Sequence, residues 1–178
     1  MKNILLLGPK HCGKTSAGII LAGLCSCPFT DIDELITEQS GKSPRSLFTE
    51  GPEIFRKAET AALMSLVKTN SESGLRVIAA GGGIIDNPGA IALLETARAE
   101  RSSGSDVTVY ISVSAQTAWE RICRTGALPP FLRTENPEET HRTLHRRRAE
   151  AYQKTAGIIV NGEGKNPEEI AREIFSRL

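Results

Sequence analysis

The chain has 178 residues, of which 39% are hydrophobic, 24% charged and 4% aromatic, enough apolar material for one sizeable core in a single domain. A fibre, a disordered tail and a two-domain enzyme all fit these proportions poorly. Lys and Arg number 22 against 21 Asp and Glu, a formal charge of +1, so no whole-molecule field exists to gather nucleic acid or coat an anionic membrane; any polyanion must be caught locally.

Asn3 to Leu7 is a short apolar run closed by Gly8 and Pro9, the pattern of a strand buried on both faces of a parallel sheet. It is too short for a signal peptide or a spanning helix. Small and aliphatic residues then recur at helical spacing from Lys14 to Leu24. Further short apolar runs at Arg76 to Ala80, Val107 to Val113 and Gly157 to Val160 alternate with segments that fit helices. Those segments are Asp33 to Gln39, Pro52 to Lys68, Pro88 to Ala99, Ala115 to Arg124, Pro137 to Thr155 and Pro167 to Leu178. Four of them open on proline, whose fixed φ suits a first helical position. The alternation predicts an α/β fold with a mostly parallel sheet. Thr125 to Asn136, with paired prolines and no period, reads as a loop of the length that functional lids have.

Gly8-Pro9-Lys10-His11-Cys12-Gly13-Lys14-Thr15, followed by Ser16, matches G-x-x-x-x-G-K-[ST] between strand and helix. Backbone N–H groups at that spacing wrap a phosphate, the helix N-terminus adds its dipole, Lys14 reaches the outer phosphates and the Thr15 hydroxyl ligates Mg²⁺. Chance predicts roughly 0.01 such matches in a chain of this composition, so the motif predicts a nucleoside triphosphate site. After Pro28 and Phe29 come Asp31 and Asp33, on one side of an extended segment. One can hold Mg²⁺ through water while the other accepts a proton from a substrate hydroxyl; the competing reading has Asp33 capping the next helix.

Arg56 and Glu59 stand three apart on a helix face, either as a surface ion pair or, facing inward, with Glu59 orienting the Arg56 fork for a substrate carboxylate. Gly81, Gly82 and Gly83 directly follow a buried strand, which suits a tight turn or the close approach of backbone to a ligand. The basic helix around His141, Arg142, His145, Arg146, Arg147 and Arg148 reads as a solvated face with one or two arginines turned towards an anion; it lacks the aromatic platform of an RNA site. Trp119 and Cys123, four apart, read as a core stripe. Cys12, Cys25, Cys27 and Cys123 form no C-x-x-C pair and no metal-ligand spacing, so free thiols in a reducing, cytoplasmic setting are expected.

Phosphate loop, D-x-D, F-R-x-x-E and G-G-G, in that order, make the chain resemble the shikimate kinases over nearly its whole length. The resemblance implies a three-layer, nucleoside-monophosphate-kinase-like fold with a five-stranded parallel sheet, one domain over 1–178 with substrate-binding helices at about 33–68 and a lid at about 125–136. It implies transfer of the ATP γ-phosphoryl group to the 3-hydroxyl of shikimate by a monomer with Mg²⁺, and neither nucleic-acid nor membrane partners. By the same resemblance Lys14 and Thr15 serve phosphates and Mg²⁺, Asp31 supports the metal, Asp33 is the base, and Gly82 offers backbone contact. Arg56 and Arg148 would pair with the substrate carboxylate, Arg148 four residues before Tyr152 where the family reads R-x-P-L-Y. Arg124 would be the nucleotide-side arginine and Lys165 part of the adenine-proximal loop.

Two departures stand out. Pro52 replaces the glutamate usual after Gly51, a local change at a helix start. The lid reads Pro129-Pro130-Phe131-Leu132 where the family has R-P-L-L, and Arg133 is the nearest replacement for the missing cation. Closure of this lid over ATP would exclude water. Alternatives to shikimate phosphorylation are a kinase for another small polyhydroxy acid, and a nucleotide-binding regulatory homologue that has lost catalysis.

Overall fold

The computed structural model describes residues 3–68, 74–99, 106–126 and 128–178. Strands β1 (Asn3–Leu7), β2 (Phe29–Asp31), β3 (Arg76–Ala79), β4 (Val107–Ser112) and β5 (Ile158–Asn161) form one parallel sheet in the order β2-β3-β1-β4-β5. At its centre β1 is buried along its whole length. Ile4 and Leu6 enter one core with Val77, Val109, Ala17, Leu21 and Ile174; Leu5 and Leu7 enter the other with Ile78, Tyr110, Ile36 and Leu63. Successive side chains of a strand face opposite ways, so a strand covered on both sides reads as an unbroken apolar run.

Helices α1 (Lys14–Leu24), α6 (Ala115–Arg124) and α8 (Pro167–Phe175) contribute to the first core. The second core takes residues from α2 (Ile32–Ser40), α3 (Pro44–Glu50), α4 (Pro52–Lys68), α5 (Pro88–Ala99) and α7 (Pro137–Thr155). This is the expected three-layer α/β architecture. Gly18 lets α1 lie flush on the sheet: a Cβ there would stand 2.5 Å from a ring carbon of Phe29 and 3.0 Å from Leu6.

Four details depart from expectation. Helix α2 begins at Ile32, because Asp31 rather than Asp33 is its cap and accepts from the Asp33 N–H at 2.9 Å. The short helix α3 lies outside the expected elements, although Ser43 caps it with Pro44 in its first turn, a start signal visible in the sequence. Within the lid segment, whose residue 127 lies outside the described residues, Pro130–Leu132 fold into a single 3₁₀ turn that buries Leu132 completely. Cys123 is exposed and belongs to no core stripe. Trp119 packs instead against the buried His141 ring, 5.5 Å away, and the core positions of α6 are Ala118 and Ile122.

The sheet order positions the site. From β1 the chain passes by way of α1 to β2 at one edge, whereas from β3 it passes to β4 on the other side of β1. The two connections leave the carboxyl ends of β1 and β3 on opposite faces of the sheet, β1 into α1 of the first core and β3 towards α5 of the second, and a crevice opens between them. Both glycine-rich segments, Gly8 to Gly13 and Gly81 to Gly83, stand at its mouth.

Candidate active site

The phosphate loop turns between β1 and α1 with Gly8 at φ +149° and Gly13 at φ +103°, conformations that a side chain disfavours. Lys14, only 8% exposed, folds back so that its ammonium donates to the carbonyls of Gly8 at 2.9 Å and Pro9 at 2.8 Å. The loop is thus held in shape by the cation that is to meet the phosphates. Cys12 is buried beneath it. His11 is held below its ordinary pKa, first by burial and then by the positive charges of Lys10, Lys14 and Arg121 gathered around the loop.

The loop forms one wall of a cleft of about 380 Å³ lined by Lys10, His11, Lys14, Thr15, Asp31 and Asp33 among others. Thr15 donates its hydroxyl to Asp31 Oδ2 at 2.8 Å, and Asp31 Oδ1 is occupied by its capping bond. Among the described residues no cluster of three or more His, Cys, Asp or Glu could hold a metal. A hydroxyl beside a single carboxylate nevertheless suits Mg²⁺, which keeps water and phosphate oxygens in most of its octahedral positions. Ser16 completes the rim.

A second cavity, of about 190 Å³, adjoins the first and shares Lys10, Asp33, Gly81 and Gly82 with it. Its further walls include Arg45, Phe48, Phe55, Phe131 and Arg148. It continues past Phe48, Phe55, Gly83, Phe131 and Arg148 to a pocket that also reaches Arg56, Glu59 and Asp86. Asp33 borders both cavities, and desolvation by the surrounding walls raises its pKa, with Asp31 adding to the rise and Lys14 and Lys10 opposing it. A raised carboxylate is a better proton acceptor.

Arg148 is fixed by Asp86, one of whose oxygens accepts from Nε at 2.9 Å and from Nη2 at 2.7 Å while the other accepts from Arg147 at 2.8 Å. The guanidinium of Arg148 also lies 5.5 Å from the centre of the Phe131 ring, within reach of a cation–π attraction. Arg56 does not pair with Glu59. It turns to Glu53, and Glu59 is completely buried, accepting from Asn87 Nδ2 at 2.9 Å. The other Glu59 oxygen has no hydrogen-bond partner among the described residues. Burial, opposed by the Asn87 bond and reinforced by Asp33, pushes its pKa up to about 7.

Gly82 is a packing requirement as well as a turn. A Cβ there would stand 2.9 Å from the backbone nitrogen of Lys10. The buried Tyr152 hydroxyl donates to the Gly82 carbonyl at 2.6 Å and lies 3.2 Å from that of Gly8, so it ties the two glycine segments together. Asp86, Asn87 and Arg45 are residues of the site that the sequence alone does not single out, and Tyr152 enters the sequence reading only as the marker that places Arg148. Asp86 and Asn87, just beyond the three glycines, carry the nearest signal.

Other expected participants stand apart. Arg124 and Arg133 are exposed and line neither cavity. From α6 it is Arg121 that reaches the loop, donating to the His11 carbonyl at 3.1 Å. Lys165 pairs with Glu173. Of the basic helix, Arg142 is answered by Glu138 and Glu139 at 3.3 and 3.1 Å. His141 is buried rather than solvated.

The profile of the family described as Shikimate kinase matches residues 10–178. The chain belongs to the shikimate kinase family. It is 36% identical over 171 residues to the shikimate kinase of Streptococcus gordonii, covering 96% of each chain. It is 32% identical over 176 residues to that of Thermodesulfovibrio yellowstonii, covering 98% of this chain and 94% of the relative. Its backbone superimposes with a TM-score of 0.84 on the shikimate kinase from Acinetobacter baumannii in complex with shikimate, at 29% identity, covering 99% of this chain and 92% of the other. Among the described residues no helix is long and apolar enough to cross a membrane.

Proposed function

We propose that the chain transfers the γ-phosphoryl group of ATP to the 3-hydroxyl of shikimate. The observation that carries this reading is the position of Asp33 on the wall shared by the phosphate cleft and the cavity lined by Arg148. The phosphates rest on the backbone of Gly8 to Ser16, with Lys14 exchanging the carbonyls it now holds for phosphate oxygens. Bound Mg²⁺ supplies charge neutralisation on the outer phosphates; Thr15 would hold it directly and Asp31 through water. Arg148 and Arg56, facing one pocket, receive the acceptor's carboxylate. Asp33 takes the proton of the attacking hydroxyl, and the turn of Gly81 to Gly83 gives the acceptor close access to backbone. Arg124 and Lys165 belong to the nucleotide's base-proximal side in this reading. All these groups come from one chain, which acts as a monomeric domain, and its free cysteines fit a reducing cytoplasm.

A coupled ADP-release assay tests the reading, run with Mg²⁺-ATP, with and without shikimate, and with Lys14→Ala as the blank. Shikimate-dependent ADP formation is expected, and its near-complete loss in Lys14→Ala. ADP release that is equal with and without shikimate, or turnover that prefers another hydroxy acid in a panel, would overturn the acceptor assignment.

A further inference from the structure

In-line transfer moves negative charge across the boundary between the two cavities. The bond from the γ-phosphorus to the bridging oxygen breaks, the acceptor oxygen bonds to phosphorus, and the hydroxyl proton passes to Asp33. A cation at that boundary lowers the barrier because it meets charge as it develops. The lid offers none: Pro129 is buried, Phe131 lines the acceptor cavity, and Arg133 borders neither cavity. Of the basic residues around the two cavities, Arg45 and Arg148 border the acceptor side, and His11 and Lys14 the phosphate side. Lys10 alone borders both.

The surroundings of Lys10 fit such a role. Its backbone is wedged against Gly82, which fixes where the stem leaves the loop. The residue is exposed, and its side chain makes no hydrogen bond or ion pair among the described residues, whereas Lys14, Arg56 and Arg148 are all engaged. Its charge is felt by both Asp33 and His11. A compact ammonium on a flexible four-carbon stem can follow a moving phosphoryl group without a fixed fork geometry.

We propose that Lys10, the third residue of the phosphate loop, is the catalytic cation that neutralises the transferring phosphoryl group in place of a lid arginine. This rests on the phosphotransfer reading above. The test begins with the unaltered protein in the shikimate-dependent ADP assay, then Lys10→Met, Lys10→Arg and Arg133→Met. For Lys10→Met, kcat is expected to fall roughly 10²-fold with both KM values within about threefold, the effect of removing one transition-state donor. Lys10→Arg should recover most of the loss, and Arg133→Met should match the unaltered protein. A binding readout accompanies it: calorimetric titration with ADP, aluminium fluoride and shikimate, which together mimic the group in flight. Lys10→Met should weaken that ternary affinity by a similar factor while leaving the affinity for ADP alone unchanged. An unchanged kcat in Lys10→Met, a loss confined to KM, or a loss found in Arg133→Met instead would overturn the Lys10 assignment alone. No shikimate-dependent turnover in the unaltered protein would overturn the acceptor reading and this inference with it.

Discussion

Replacing Glu59 with glutamine should stabilise the protein above neutral pH and leave it unchanged in acid. Glu59 is fully buried with one oxygen unpartnered among the described residues, and its pKa rises from 4.5 to about 7. Below pH 4.5 the carboxyl is neutral whether the chain is folded or not, so it carries no charge penalty. Between 4.5 and about 7 the folded state keeps a proton that the unfolded state has released, so stability falls as pH rises. Above about 7 the full penalty is present. At about 1.36 kcal/mol per unit the rise corresponds to about 3 kcal/mol. Glu59→Gln keeps the shape and the acceptor for Asn87 while removing the charge, so it should gain up to about 3 kcal/mol at pH 8, or roughly 6–12 °C in Tm for a chain of this size. Thermal melts of both proteins from pH 4 to 8, compared as differences, isolate the effect. His11, His141 and His145, whose pKa values are lowered by burial, act in the opposite direction in both proteins and cancel. A difference that is constant across pH, or a less stable glutamine variant at pH 8, would refute a raised Glu59 pKa.

Asp33→Asn should lower kcat by roughly 10²–10⁴-fold, the range for removing a general base, with little change in ATP affinity; undiminished turnover would take Asp33 out of the proton path. Arg148→Met should raise the KM for shikimate by roughly 10–100-fold, the worth of charge-assisted hydrogen bonds to a carboxylate, and steady-state kinetics with the acceptor varied would reveal it. Gly18→Ala should destabilise by about 1 kcal/mol in a denaturant melt, because overpacking against Phe29 and Leu6, at about 1–3 kcal/mol, outweighs a helix-propensity gain of about 1 kcal/mol. A net gain in stability would mean that α1 can lift from the sheet.

Much of this protein is determined locally. The phosphate loop is legible because its chemistry depends on backbone conformation at a fixed spacing, and Gly8 and Gly13 adopt the positive φ angles that the motif implies. Strand β1 and the proline-opened helices are equally legible, since burial on both faces and a missing N–H leave direct marks on composition. Asp31 and Asp33 could be placed at a strand end, but which of them caps the helix depends on where the helix axis begins, a matter of one residue. Partner choice was decided only by tertiary packing. Three-residue spacing offers Arg56 to Glu59, yet α4 turns Glu59 into the core towards Asn87 and leaves Arg56 to Glu53. Likewise nothing near Arg148 in the chain announces Asp86, 62 residues away, because an ion pair between separate elements has no period to read. The junction occupied by Lys10 exists only once β1 and β3 stand side by side and bring Gly82 against the phosphate loop, since a space bounded by two distant segments has no counterpart in either one alone.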